Sequence, residues 1–158
     1  MKRILLILAA LALGATTVQA QVRFETGSTD SVRKKALESG KLVFIDLYAT
    51  WCGPCRTMER DVFSRRDVGE FMERWFVAAK YDVDRSTGKA LSQQYGVRSI
   101  PTYLIFDTAG DLLGRIQGAS DAETFMDDLR TILDRQKQTR ELSLIHISEP
   151  TRPISISY

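Results

Sequence analysis

The chain has 158 residues, a net charge of +2 and 27% charged residues. Once Lys2, Arg3, Glu149 and Arg152 near the ends are set aside, acidic and basic residues balance, which argues against a nucleic-acid surface or a polybasic membrane patch. The interior is long enough for one domain with its own core, and cysteine occurs only twice.

The chain opens with Lys2 and Arg3, an apolar run Ile4–Leu13, and a small polar stretch ending in Val18-Gln19-Ala20. That pattern predicts a secretory signal peptide over residues 1–20, cleaved after Ala20. The apolar run is about ten residues, short of the roughly 20 that cross a bilayer. Thr29 is positioned to cap a helix over Asp30–Ser39, ended by Gly40. Leu42–Tyr48 is apolar on both faces and reads as a central strand. A helix follows from the cysteines toward Val62. Another, capped at Ser64 or Asp67, presents Val68, Phe71, Met72, Trp75 and Phe76 inward. Val77–Val83 is a strand, Gly88–Tyr95 a short helix, and Thr102–Phe106 and Leu112–Gln117 a hairpin turning at Asp107-Thr-Ala-Gly110. Asp121 caps a last helix with Phe125, Leu129, Ile132 and Leu133 on its buried face. Strands alternating with helices and closing in a hairpin predict an α/β domain over residues 21–141, a central mixed sheet flanked by helices on both faces.

From Leu142 the composition changes. Leu142 to Pro153 matches, residue for residue, the translation of a transposon-type sequencing adapter. Residues 142–158 are therefore read as a non-native, disordered tail. The only histidine, His146, falls within it and is given no role.

Both cysteines sit in Trp51-Cys52-Gly53-Pro54-Cys55, where a strand turns into a helix. Zinc needs about four ligands, and the domain offers two thiols and no histidine. Covalent haem attachment needs a histidine after the second cysteine, where Arg56 stands. A structural disulfide over so short a loop constrains the unfolded chain least. A redox-active pair is the reading that remains. Cys52, at the helix N-terminus, is favoured as thiolate and nucleophile. Cys55, one turn on, is the resolving thiol. Gly53 and Pro54 fit the first turn, where a missing N–H costs little. Asp46 is an acid inside an apolar strand. It either faces outward near a strand end or lies buried beneath the helix, its pKa raised, as proton acceptor for Cys55. Lys80 is either its charge partner or a solvated strand lysine. Ile100-Pro101 opens a strand, where a proline loses no ladder bond.

Asp46, Trp51-Cys-Gly-Pro-Cys55, Lys80, Gly96-Val-Arg-Ser-Ile-Pro-Thr102, Gly110 and Gly118 together resemble the thioredoxin family. The resemblance covers Leu42 to Leu133 and implies the thioredoxin fold, a buried acid at Asp46 and a cis peptide before Pro101 facing the cysteines. Tyr48-Ala-x-Trp-Cys-x-x-Cys, Met58-Glu59, Val62-Phe63-Ser64, Val68 and Asp121-Ala-Glu-Thr-Phe125 are closer to the periplasmic C-terminal domain of the transmembrane disulfide-reducing hub. The chain departs from thioredoxin at Tyr48, where Trp is usual, and in lacking the proline that kinks the helix after the cysteines. It departs from the hub in Gly53-Pro54 and in having no transmembrane segments.

The expectation is an exported, periplasmic, monomeric protein-disulfide reductase with no cofactor beyond its own dithiol. It binds protein disulfide substrates along Tyr48, Trp51, Ile100 and Pro101, and is recharged by an upstream dithiol donor embedded in the membrane. The alternatives are a disulfide oxidant or isomerase on the same fold, and a non-enzymatic interaction module. Because the tail matches no part of the domain pattern, deleting Leu142–Tyr158 should change the stability by less than about 1 kcal/mol in chemical denaturation.

Overall fold

A computed structural model of the protein describes residues 21–148. The expected signal peptide and the segment from Glu149 onward lie outside the described residues. Five strands form one mixed sheet: β1 (Phe24–Glu25), β2 (Leu42–Tyr48), β3 (Phe76–Asp82), β4 (Thr102–Phe106) and β5 (Leu112–Gln117), in the order β1-β3-β2-β4-β5. β1 and β2 both run parallel to β3, while β4 is antiparallel to β2 and to β5. β2 is thus central, and six of its seven residues are buried, as a strand covered on both faces requires.

Helices cover both faces. α1 (Thr29–Ser39) and α4 (Ser86–Gln94) pack Val32, Ala36 and Leu91 against Val43, Ile45, Leu47 and Leu104. On the other face, α2 (Gly53–Met58), a π-helical turn (Glu59–Phe63), α3 (Arg66–Trp75) and α5 (Ala122–Ser148) enclose Phe44 and Tyr103. Phe44, Phe63, Tyr103 and Phe125 meet there with ring centroids 5.4–6.0 Å apart, mostly edge to face, the favoured aromatic geometry.

Local chemistry sets most boundaries. α1 is capped by the hydroxyl of Ser28, which accepts from Ser31 N–H, rather than by the expected Thr29. It ends at Gly40, whose φ of 65° is left-handed and costs glycine nothing. α3 starts after Arg65 without a side-chain cap. Asp67 lies inside its first turn, where it accepts from Val68 N–H and pairs with Arg65. Ser64, the other expected cap, instead donates its hydroxyl to the Arg60 carbonyl. Asp121 caps α5 by accepting from Thr124 N–H at 2.9 Å.

Beyond these caps, four features differ from the sequence expectation. α3 ends at Trp75, which is exposed rather than turned inward, and Phe76 opens β3 instead of extending the helix face. β1 was not anticipated, because two residues carry no measurable alternation. The helix after the cysteines relaxes into a π turn at Glu59–Phe63, the region that lacks the family's kinking proline. α5 continues through Ser148, so residues 142–148 are helical rather than disordered. The stretch from Arg140 to Glu149 contains no glycine or proline, and propagation of an existing helix adds one bond per residue.

Gly88 sits where α4 meets the end of β3, and a β-carbon there would lie 2.1 Å from the Asp82 carbonyl oxygen. That neighbour is backbone and cannot swing aside. Gly88→Ala should lower the stability by about 1–3 kcal/mol in a denaturant titration.

Candidate active site

The dithiol stands where β2 ends. Beyond Tyr48 the chain turns through Ala49-Thr50-Trp51, and Cys52 takes an extended conformation as N-cap of α2. The turn is pinned on several sides. Cys52 N–H donates to the Ala49 carbonyl at 3.1 Å, the Arg56 guanidinium donates to the Thr50 carbonyl at 2.9 Å, and Val83 N–H donates to the Tyr48 carbonyl at 2.9 Å. Pro54 occupies the first helical turn.

Cys52 and Cys55 are joined as a disulfide, with Cα atoms 5.3 Å apart. Cys52 Sγ accepts a hydrogen bond from Cys55 N–H at 3.1 Å, so a free helix N–H points at that sulfur. A negative sulfur at Cys52 is stabilised by this donor and by the helix dipole. Both cysteines are nearly covered, at 3% and 7% exposure. In the disulfide, then, neither cysteine is the more open to solvent.

An apolar rim surrounds the disulfide. Tyr48 and Ile100 pack against the cluster of Ala49, Cys52 and Cys55. The Ile100–Pro101 peptide bond is cis and Pro101 is buried. Trp51 is 66% exposed, yet its indole N–H donates to Asp84 at 2.8 Å. An exposed indole held by one bond is a fixed apolar surface with little rotamer freedom left to lose on contact.

Asp46 lies beneath the dithiol. The register of the central strand places it between Lys80 on β3 and Tyr103 on β4, on the face covered by α2. It is buried, which excludes the outward-facing alternative, and its Oδ1 has no hydrogen-bond partner among the described residues. A cavity of about 310 Å³ joins it to Cys55, Glu59 and Lys80. Burial pushes the Asp46 pKa up to about 7; the Lys80 charge pulls it down, and the Glu59 charge raises it further. Lys80 faces Asp46 in register, but its ammonium is 2.7 Å from Glu59 Oε1.

Glu59 was named from the sequence only as part of a resemblance, with no role. Its spacing was a usable signal, since it lies one turn beyond Cys55 on the same helical face. Phe24, which also lines the cavity, was missed together with β1. Among the described residues, no group of three or more His, Cys, Asp or Glu side chains could hold a metal ion. None of the described helices is long and apolar enough to cross a membrane.

Residues 29–133 match the family model described as a thioredoxin-like domain. The chain belongs to the thioredoxin-like family. It is 34% identical over 132 residues to the thiol:disulfide interchange protein DsbD of Citrobacter koseri, covering 79% of this chain and 23% of that protein. It is 39% identical over 87 residues to thioredoxin-2 of Pyricularia oryzae, covering 55% of this chain and 47% of that one. The chain thus spans less than half the length of these relatives. Among solved structures it is similar to a thioredoxin from Thermus thermophilus, with a TM-score of 0.64 and 25% identity over 72% of this chain and 88% of that one. The thioredoxin-like domain of this chain thus carries its two cysteines joined as a disulfide at the N-terminus of α2.

The raised acid has a consequence for stability. Below its unfolded value of 3.8 Asp46 is protonated in both states and costs nothing. As pH rises toward its folded value of about 7, the unfolded chain releases the proton first and stability falls. The difference in stability between Asp46→Asn and the parent should therefore grow from about pH 4 to about pH 7 and then level off. At ~1.4 kcal/mol per unit, it reaches a few kcal/mol. Denaturant titrations of the two oxidised proteins across that range measure it; equal slopes would contradict the buried acid.

Proposed function

We propose that this protein reduces protein disulfides by dithiol–disulfide exchange in the cell envelope. The observation that carries the reading is the shared cavity: Cys55 of a helix-capping disulfide opens onto a buried carboxyl that is poised near neutrality. The Cys52 thiolate attacks one sulfur of a substrate disulfide, forming a mixed disulfide and releasing the other substrate sulfur as a thiolate. Cys55 then gives its proton to ionised Asp46, and its thiolate attacks Cys52 Sγ. The Cys52–Cys55 bond forms and the second substrate sulfur leaves, completing a two-electron transfer. In this cycle the Cys52–Cys55 disulfide is the oxidised form of the domain.

Tyr48, Trp51, Ile100 and Pro101 form the surface on which a substrate segment lies. The oxidised domain is recharged by a second dithiol protein embedded in the membrane; the similarity to a thiol:disulfide interchange protein supports exchange with such a dithiol partner. The N-terminal pattern of residues 1–20 supports export to the periplasm, and the domain works as a monomer with no group beyond its own sulfurs. Reduction rather than oxidation is supported by Gly53-Pro54, which put no cation beside Cys52. A modest stabilisation of the thiolate leaves the disulfide relatively stable.

Equilibration with a glutathione redox buffer tests the direction. The expected midpoint lies on the thioredoxin side of the scale, at about −270 mV; a value near the strong-oxidant end, at about −120 mV, would make the protein a donor of disulfides instead. Asp46→Asn should slow resolution of the mixed disulfide by about 100-fold or more and leave the first attack unchanged. Stopped-flow measurement of both steps at neutral pH separates the two.

A further inference from the structure

The register of β2 and β3 sets Lys80 opposite Asp46. A lysine so placed beside a buried carboxylate is drawn to it, because attraction between charges strengthens as water is excluded. Lys80 goes elsewhere. Its ammonium lies 2.7 Å from Glu59 Oε1, 5.4 Å from the ring centroid of Phe24 and 5.2 Å from that of Tyr48. The Glu59 side chain is 62% exposed, and an ion pair with so open a partner is weakly held by itself. The two ring faces supply what that pair lacks, since an ammonium within about 6 Å of a ring centroid is attracted to the π face.

We propose that Phe24 and Tyr48 form an aromatic clamp that parks the Lys80 ammonium on Glu59 and off the Asp46 carboxyl, which makes Phe24 a positioning residue for the carboxyl beneath the dithiol. The inference rests on the reading of Asp46 as proton acceptor for Cys55. Phe24 is suited to the task by its place in the fold. β1 pairs Phe24 with Ala78 on β3, two residues before Lys80 and on the same face of the strand. Its ring is braced edge-on against Phe63 at 5.4 Å. Asp46 Oδ1 is left without a partner, as expected when the facing cation is held away.

Every charged or titratable group that faces Asp46 bears on the test. Tyr48 comes from β2 itself, Cys55 and Arg56 from α2, Glu59 from the π turn, Lys80 from β3 and Tyr103 from β4. Arg56 is engaged with the Thr50 carbonyl. Burial and the Asp46 charge hold the Tyr103 phenol far above its ordinary value, so it stays protonated. In the oxidised protein Cys55 does not titrate. Lys80 is therefore the cation whose position sets how strongly Asp46 holds its proton.

The experiment follows the Asp46 carboxyl carbon by NMR through a pH titration of the oxidised protein. Phe24→Leu keeps an apolar cover on the cavity and removes the ring face. It should lower the Asp46 midpoint by about one unit, a tenfold loss of proton affinity, as Lys80 swings across. Made on a Lys80→Met background, the same substitution should leave the midpoint where Lys80→Met alone puts it. Phe24→Tyr, which restores a ring, should return the parent value, and Tyr48→Leu, which acts from β2, should repeat the downward shift if Phe24→Leu does not fold. No shift in the parent background overturns the clamp. An equal shift with and without Lys80 also overturns it, because Phe24 would then act by keeping water out. The titration needs no catalysis. A protein that shows the expected pattern but resolves no mixed disulfide keeps the clamp and loses the reductase reading. If both hold, the pH profile of resolution moves down with the midpoint in Phe24→Leu.

Discussion

One buried carboxyl constrains the active end of this molecule. Asp46 sits in the middle of the central strand, under a helix and beside the disulfide, where it is buried and its Oδ1 has no hydrogen-bond donor among the described residues. A charge in that setting is expensive, so the group holds its proton to near neutrality. The cost falls on folding and the benefit on chemistry. An acid that titrates near the working pH can both receive a proton and return it, which a solvated aspartate cannot do.

The groups around the carboxyl adjust this balance without removing it. Lys80 lowers the proton affinity from a distance, and Glu59 both raises it and draws Lys80 away. A direct Lys80–Asp46 ion pair would favour the ionised acid and lower its affinity for a proton. The π turn that carries Glu59 belongs to the same arrangement. Its wider turn continues the helix after Met58 without a proline and brings Glu59 to Lys80 on β3 and Val62 and Phe63 into the core.

Most of the fold could be read from hydrophobic pattern and punctuation. β2, β4 and β5 have the bounds that the apolar runs and turn residues predict, because Gly40, Pro101, Gly110 and Gly118 punctuate the chain around them. Cys52, Cys55 and Asp46 were legible because each is out of character with its surroundings. What escaped was either too short or too ordinary. Phe24-Glu25 is two residues long, and its strand character comes from pairing with β3. Glu59 is one acid among many on a helix, and only the fold brings it to Lys80. The run of α5 beyond Glu141 was missed because composition changes there while helix-forming capacity does not.

The place of β2 in the sheet has a further consequence. It bonds to β3 along seven residues and to β4 along five, so its amides are held from both sides in the best-packed part of the molecule. Amides in such a strand exchange with solvent hydrogen only through the largest openings. The turn from Ala49 to Cys52 lies outside that ladder and is held by the single bonds that pin it. The disulfide therefore stands at the boundary between a strand held on both sides and a turn held bond by bond, and the Asp46 carboxyl lies on the strand side of that boundary.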